Sequence, residues 1–261
     1  QANQQFYRYA AADNVSTKLK SKAISLVLAG GLIAAIVGPE VSRYSFDFFS
    51  DFTYLATYLF AALIQLFNFG VLIFVKIKKP KQNKNSIRSL SKILIRKIVI
   101  IAILAASVGY SLMSFIMTAT PLQIVNVCKL GDSASATVIQ WHIIAMFAPS
   151  FFTGSIINFL GSRKVMMMGV MLYIISICFA VMGQIIEYFW MSLFLCGLGW
   201  NFLYVGGSDI IARSALPEER AKVQGVTDFI IFMFVASGSF LAGSLHNNVG
   251  WEVMMFYTSI P

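Results

Sequence analysis

Ile98-Val99-Ile100-Ile101-Ala102-Ile103-Leu104-Ala105-Ala106-Ser107-Val108-Gly109-Tyr110-Ser111-Leu112-Met113-Ser114-Phe115-Ile116-Met117-Thr118 decides the fold. The run carries no charge, and its first residues do not alternate in polarity. A helix of about 20 such residues, rising 1.5 Å each, crosses the roughly 30 Å hydrocarbon core of a bilayer. A barrel strand would be about ten residues long and would alternate. Working outward, the same reading applies to 23–39, 52–75, 136–157, 165–184, 188–208 and 226–244, and an eighth run starts near Trp251 and stops at Pro261. Only 12% of the 261 residues are charged and 58% are hydrophobic. Soluble domains carry about 25% charged residues, so most of this surface must face something apolar. The expectation is an all-α, polytopic membrane helix bundle.

The connectors set the orientation. Residues 1–22, 76–97, 161–164 and 209–223 fall on one side, and 40–51, 119–135, 185–187 and 245–250 on the other. All but two of the 20 Lys and Arg lie on the first side, the exceptions being Arg43 and Lys129. Such a bias places the first side in the cytoplasm. It also explains the net charge of +9 without invoking nucleic acid. The polar first residues contain no apolar core and are not a signal peptide. Cys128, Cys178 and Cys196 lack metal-ligand or redox spacing, and the last two read as small hydrophobes.

Shifting the chain by 200 residues lays Lys20-Ser21-Lys22-Ala23 on Arg220-Ala221-Lys222-Val223 and Gly38 on Gly238. The two units lie six spans apart and both leave the basic side, which suggests two parallel repeats. The connector Gly154-Ser155-Ile156-Ile157-Asn158-Phe159-Leu160-Gly161-Ser162-Arg163-Lys164 adds a local signature. Gly154 would let two helices approach, Gly161 would permit a tight reversal, and Arg163 and Lys164, near a helix end, can bridge to acids or hold the loop at the interface. This pattern resembles the loop signature of the major facilitator family, with Asn158 where the family usually has Asp. Ala34-Ala35-Ile36-Val37-Gly38-Pro39 resembles a fifth-span motif of that family, although its trailing glycines are missing. Close packing is therefore the reading for Gly38 and Pro39. Phe6-Tyr7-Arg8-Tyr9-Ala10-Ala11-Ala12-Asp13, Ile139-Gln140-Trp141-His142 and Ala148-Pro149-Ser150-Phe151-Phe152-Thr153-Gly154 resemble a bacterial permease subgroup that includes riboflavin transporters.

The resemblance implies a twelve-span parent of which about eight spans are present. In that register 1–75 is the end of an N-terminal six-helix bundle, a cytoplasmic loop followed by spans five and six. Residues 76–97 form a basic cytoplasmic linker. Residues 98–261 form a C-terminal six-helix bundle whose last span is cut short. The implied function is secondary transport of a small organic solute by alternating access across a bacterial inner membrane, with a flat vitamin such as riboflavin as the substrate expectation. A proton-coupled exporter of drugs or metabolites is the alternative within the fold. A receptor or membrane-embedded enzyme is the alternative class. The implied partners are solute, lipid and, as an open alternative, protons. A monomer is expected, with no nucleic acid, metal or cofactor.

Cavity lining in the family falls mainly on the spans 98–118 and 188–208. There Ser107, Ser111, Ser114 and Thr118 recur at helical spacing beside Tyr110, and Trp200, Asn201, Tyr204 and Ser208 share a stripe with Gly197. Polar groups at that depth are functional candidates. An aromatic and an amide together suit a flat solute. Gln140 and His142 stand near the outer end of 136–157, and His142 reads as the one histidine within a span. Pro149 should kink that span. Asp228 reads as a first-turn carboxylate of 226–244, placed either to complement the helix start or to pair with Arg163. Gly-x-Ser-x-Gly, His-Glu-x-x-His and phosphate-loop patterns are absent from the sequence, so no enzyme is expected.

Overall fold

A computed structural model describes residues 2–45, 47–74, 88–216 and 218–258, with the side chains of 2–6, 39 and 43 excepted. Among them twelve α-helices follow one another: α1 Ala2–Asp13, α2 Lys20–Ala29, α3 Gly31–Ser45, α4 Leu55–Ile73, α5 Leu90–Leu94, α6 Lys97–Pro121, α7 Asp132–Phe147, α8 Ser150–Leu160, α9 Ser162–Met182, α10 Ile186–Ser214, α11 Arg220–Val249 and α12 Trp251–Tyr257. The chain is an all-α membrane bundle. Six helical stretches are long and apolar enough to cross a bilayer, and α7 and α8 together make a seventh that bends by 41°.

The bend has a local cause. Pro149 has no N–H to bond the carbonyl four residues back, so the ladder breaks between Phe147 and Ser150 and restarts with Phe152 and Thr153 donating to the Pro149 carbonyl, both at 2.8 Å. Gly161, at φ 86° and ψ 148°, then reverses the chain in a single residue between α8 and α9.

The two sets of connectors gather at opposite ends. At the basic end Arg88 meets Glu219, Arg220 meets Asp13, and the Lys20 ammonium donates to the Ala212 carbonyl at 3.3 Å. At the far end Cys128 donates to Gln184 at 3.3 Å, and the His246 ring shares a hydrogen bond of 3.0 Å with Gln123.

Several helices outrun their apolar windows. The span expected at 226–244 runs over Arg220–Val249, and that at 188–208 over Ile186–Ser214. Charges end an apolar window but need not end a helix. Asp209 and Arg213 pair across one turn at 2.9 Å, which keeps the last turns of α10 helical beyond the hydrocarbon. His246 consequently lies within α11 and is buried, so His142 is not alone. The first span continues through Pro39 to the end of α3. A second departure is at the start. Residues 2–13, read as loop, are helical, and Tyr9 and Ala12 are buried. Their composition is too polar for an apolar window, yet one face is covered by neighbours. Most of the linker, 76–87, lies outside the described residues. Its end forms α5, whose Ile93 joins the main core.

The core is centred on α10, which packs against α9, α6 and α7. Every residue from Gly199 to Ala212 is buried. A second, smaller core of Tyr9, Ala12, Ile24, Ile157, Val165, Phe202, Val205 and Ala212 forms the seam between α1–α2 and α8–α10.

Candidate functional site

At the seam an arginine is held within the membrane depth. Arg8 of α1 is 1% exposed, and its guanidinium donates to Asp228 of α11 at 2.7 Å. It also donates to the hydroxyl of Tyr204 on α10, and to that of Tyr9 at 3.0 Å. The Tyr9 and Tyr204 ring centroids each stand 4.4 Å from the guanidinium carbon. Cation–π attraction and three acceptors together replace the water that a buried cation gives up. Helical rise gives the depth. Asp228 is eight residues beyond Arg220, about 12 Å along the axis, and Tyr204 is ten residues before Ser214, about 15 Å. The cluster thus lies two to four turns inside the basic ends of α10 and α11.

Aromatic rings extend it away from the basic end. Trp200 stacks on Tyr204 with centroids 5.0 Å apart and planes at 17°. Tyr110 of α6 stands edge-on to Trp200, Tyr204 and Phe232 at 5.2, 5.3 and 5.8 Å. Phe147, at the end of α7, reaches Trp200 at 5.8 Å. Four helices of the C-terminal part and one from the N-terminal part therefore meet on a single group of rings and charges. Asp228 Oδ2 and Trp200 Nε1 are buried there and take no partner among the described residues.

Below this cluster the basic end is packed shut. A Cβ on Gly154 would lie 2.6 Å from the Ser21 carbonyl oxygen and 2.7 Å from Lys22 Cα, so α8 and α2 touch backbone to backbone. Ser21 donates to Asn158 at 2.7 Å, and the Gly154 N–H donates to Ser25 at 3.0 Å. Arg213 reaches Ser21 at 3.3 Å.

The profile of the Major Facilitator Superfamily matches residues 125–261, slightly more than half of the chain. The chain belongs to the Major Facilitator Superfamily. It is 39% identical over 254 residues to the riboflavin transporter RfnT of Brucella anthropi, covering 96% of this chain and 64% of that protein. Two uncharacterised transporters of the superfamily from Bacillus subtilis, YdeG and YddS, are each 26% identical and cover 91% and 95% of this chain. The chain spans 59% and 61% of their lengths, and so under two thirds of all three relatives.

The remaining sequence-derived residues of this superfamily member take varied places. Asn201 does not share a cavity stripe with Trp200. It is fully buried, donates to the Met146 carbonyl at 2.7 Å and to Ser150 Oγ at 2.6 Å, and accepts from Thr153 at 2.6 Å. It staples α10 to the bent α7–α8 span. The stripe reading failed because α10 is enclosed on every side, so all its faces find protein. Ser111 donates to the Phe234 carbonyl at 2.8 Å and Ser114 bonds Ser239 at 2.6 Å, tying α6 to α11. Thr118 bonds its own helix, at the Ser114 carbonyl, and Ser107 is buried without a partner among the described residues. His142 is buried with Nδ1 against the Leu193 carbonyl at 2.6 Å, beside the close approach of Gly197 to the His142 carbonyl. Gln140 is half-buried beside it.

Asp228 departs most from its expectation. It lies in the third turn of α11 rather than the first, and its partner is Arg8, not Arg163. Arg163 and Lys164 are exposed and have no carboxylate partner among the described residues. With Arg96 and Arg213 they line a surface pocket of about 510 Å³. Nothing described stands within 4 Å of a Cβ on Gly38, so the expected close packing there is not present. Pro39 lies inside α3, and its side chain is outside the described residues. Arg8 and Tyr9 were missed. A lone arginine between Tyr7 and Tyr9, in a stretch otherwise uncharged up to Asp13, was the available signal, but the polar start hid it.

Proposed function

We propose that this chain is the larger part of a secondary transporter that carries a flat aromatic solute of the flavin class through the membrane by alternating access. The cluster of Arg8, Asp228, Tyr204, Trp200 and Tyr110 is the cargo site. The single observation that carries the reading is the buried Arg8–Asp228 pair, roofed by stacked rings, on the seam between α1–α2 and the C-terminal helices. Rings there can stack on a planar solute, each such contact contributing on the order of 1 kcal/mol. The likeness to a riboflavin transporter supports a flavin as that solute.

The seam supplies the moving part. The basic end is closed by α2 against α8 and by Arg220 against Asp13, so this conformation closes toward the cytoplasm under the charge bias. Opening it requires Arg8 on α1 and Asp228 on α11 to separate. Stripping either of its partner in a buried place costs about 3–5 kcal/mol, so the empty protein stays shut on that side. A solute that gives both groups new partners removes that cost.

The test is riboflavin counterflow into vesicles holding the protein at its full cellular length. Saturable exchange, abolished in Asp228→Ala, is the expected result. Folded protein that exchanges no flavin would overturn the flavin reading.

A further inference from the structure

We propose that Arg8 and Asp228 jointly read an imide edge, the C(=O)–NH–C(=O) sequence of a neutral heterocycle. This rests on the cargo site proposed above and names the chemistry that the site selects.

Charge limits what can approach the pair. A solute carboxylate would attract Arg8 and be repelled by Asp228. An ammonium would do the reverse. The two side chains stand 2.7 Å apart, so no charged group can approach one without meeting the other. A neutral edge with an acceptor beside a donor satisfies both at once. The carbonyl takes an N–H from Arg8, and the ring N–H goes to Asp228.

Asp228 has the capacity for this. Its residue is 6% exposed, and Oδ1 takes the guanidinium while Oδ2 takes no hydrogen bond from any described residue. Buried carboxylate oxygens are ordinarily satisfied, so an idle one asks for an explanation, and a donor on cargo supplies it. The guanidinium is a planar donor whose carbon stands 4.4 Å from both the Tyr9 and Tyr204 ring centroids, and it turns Nη2 toward Asp228. The indole N–H of Trp200 is a second buried group without a described partner, one turn along α10 and stacked on Tyr204. It can donate to a further carbonyl or hydroxyl of the same solute. The rings fix the plane of the solute, and the pair fixes which edge leads.

Riboflavin bears such an edge, an N3–H between two carbonyls, and methylation of N3 removes its donor while leaving the ring and side chain. The experiment is calorimetry of riboflavin and N3-methylriboflavin on the purified full-length protein. The wild type should bind the methylated flavin about ten-fold more weakly or worse, because a site built for an N–H rejects the analogue that lacks it. Asp228→Asn should bind riboflavin more weakly and discriminate less than about three-fold between the two. The wild-type comparison needs no variant, so it decides even if Asp228→Asn does not fold. Equal wild-type affinity for both flavins would overturn the imide assignment while leaving flavin transport standing. Failure of a folded protein to bind either flavin would overturn both.

Discussion

Two ion pairs in this molecule share their chemistry and differ in their surroundings. Arg8–Asp228 lies inside the bundle with 1% and 8% of the side chains exposed, while Arg88–Glu219 lies at the basic end with 38% and 2% exposed. Glu219 is the better satisfied of the two acids. It accepts from Arg88 Nε at 2.9 Å, Arg88 Nη2 at 2.6 Å, the Arg88 N–H at 2.8 Å and the Leu216 N–H at 2.9 Å. These bonds clamp the start of α11 to the end of the linker. Among the described residues Asp228 has one hydrogen-bond partner, Arg8, and its Oδ2 has none. A fully bonded acid at the basic end reads as a fastener. A partly bonded acid in the membrane reads as a place where something else binds and where two groups of helices part.

The comparison can be broken by double-mutant cycles in thermal and denaturant melts. For Arg8 and Asp228, removing either partner should destabilise by about 3–5 kcal/mol, with strong coupling, because the survivor is a lone buried charge. Gly154→Leu should come next. Its side chain cannot fit against the Ser21 and Lys22 backbone, so it should cost about 1–3 kcal/mol of the closed state and lower transport more than membrane abundance. Counterflow and surface labelling together check this. Asn201→Leu should cost about 1–3 kcal/mol by leaving Thr153, Ser150 and the Met146 carbonyl unpaired, and should weaken solute affinity only through that loss. A variant that keeps its melting point but loses affinity would return Asn201 to the cargo site.

The smallest effect belongs to the Arg88–Glu219 pair, on the order of 1 kcal/mol, because its arginine is exposed and screened by solvent. Hydrogen bonds from Arg88 hold the Glu219 carboxyl down to about 2, against burial that would raise it. A depressed folded value means that the bonus is fully present above about pH 4.5, the unfolded range, and is lost as pH falls toward 2. The melting difference between wild type and Glu219→Gln should therefore shrink over that interval. A difference constant from pH 6 to pH 2 would remove the latch.

What the sequence made legible follows from scale. Spans are read from windows of about 20 residues, and those windows survive any detail of packing. The bend at Pro149 and the reversal at Gly161 are local backbone effects, so single residues announced them. The site is different in kind. Asp228 could be seen as an intramembrane acid, but its partner lies 220 positions away in a helix too polar to register as a span. Asn201 and Trp200 are adjacent in sequence, and a helix turns about 100° between them, so one faces α7–α8 and the other faces the rings. Periodicity places residues on stripes. It cannot say which stripe meets protein and which meets cargo when, as in α10, all of them are covered.

The most direct test of the account is a structure of the full-length protein with riboflavin bound. The account predicts the ring system against Trp200 and Tyr204, with its N3 edge between Arg8 and Asp228 and the direct contact of that pair broken. A flavin bound elsewhere in the bundle, with Arg8 and Asp228 still joined and the aromatic cluster unchanged, would contradict it.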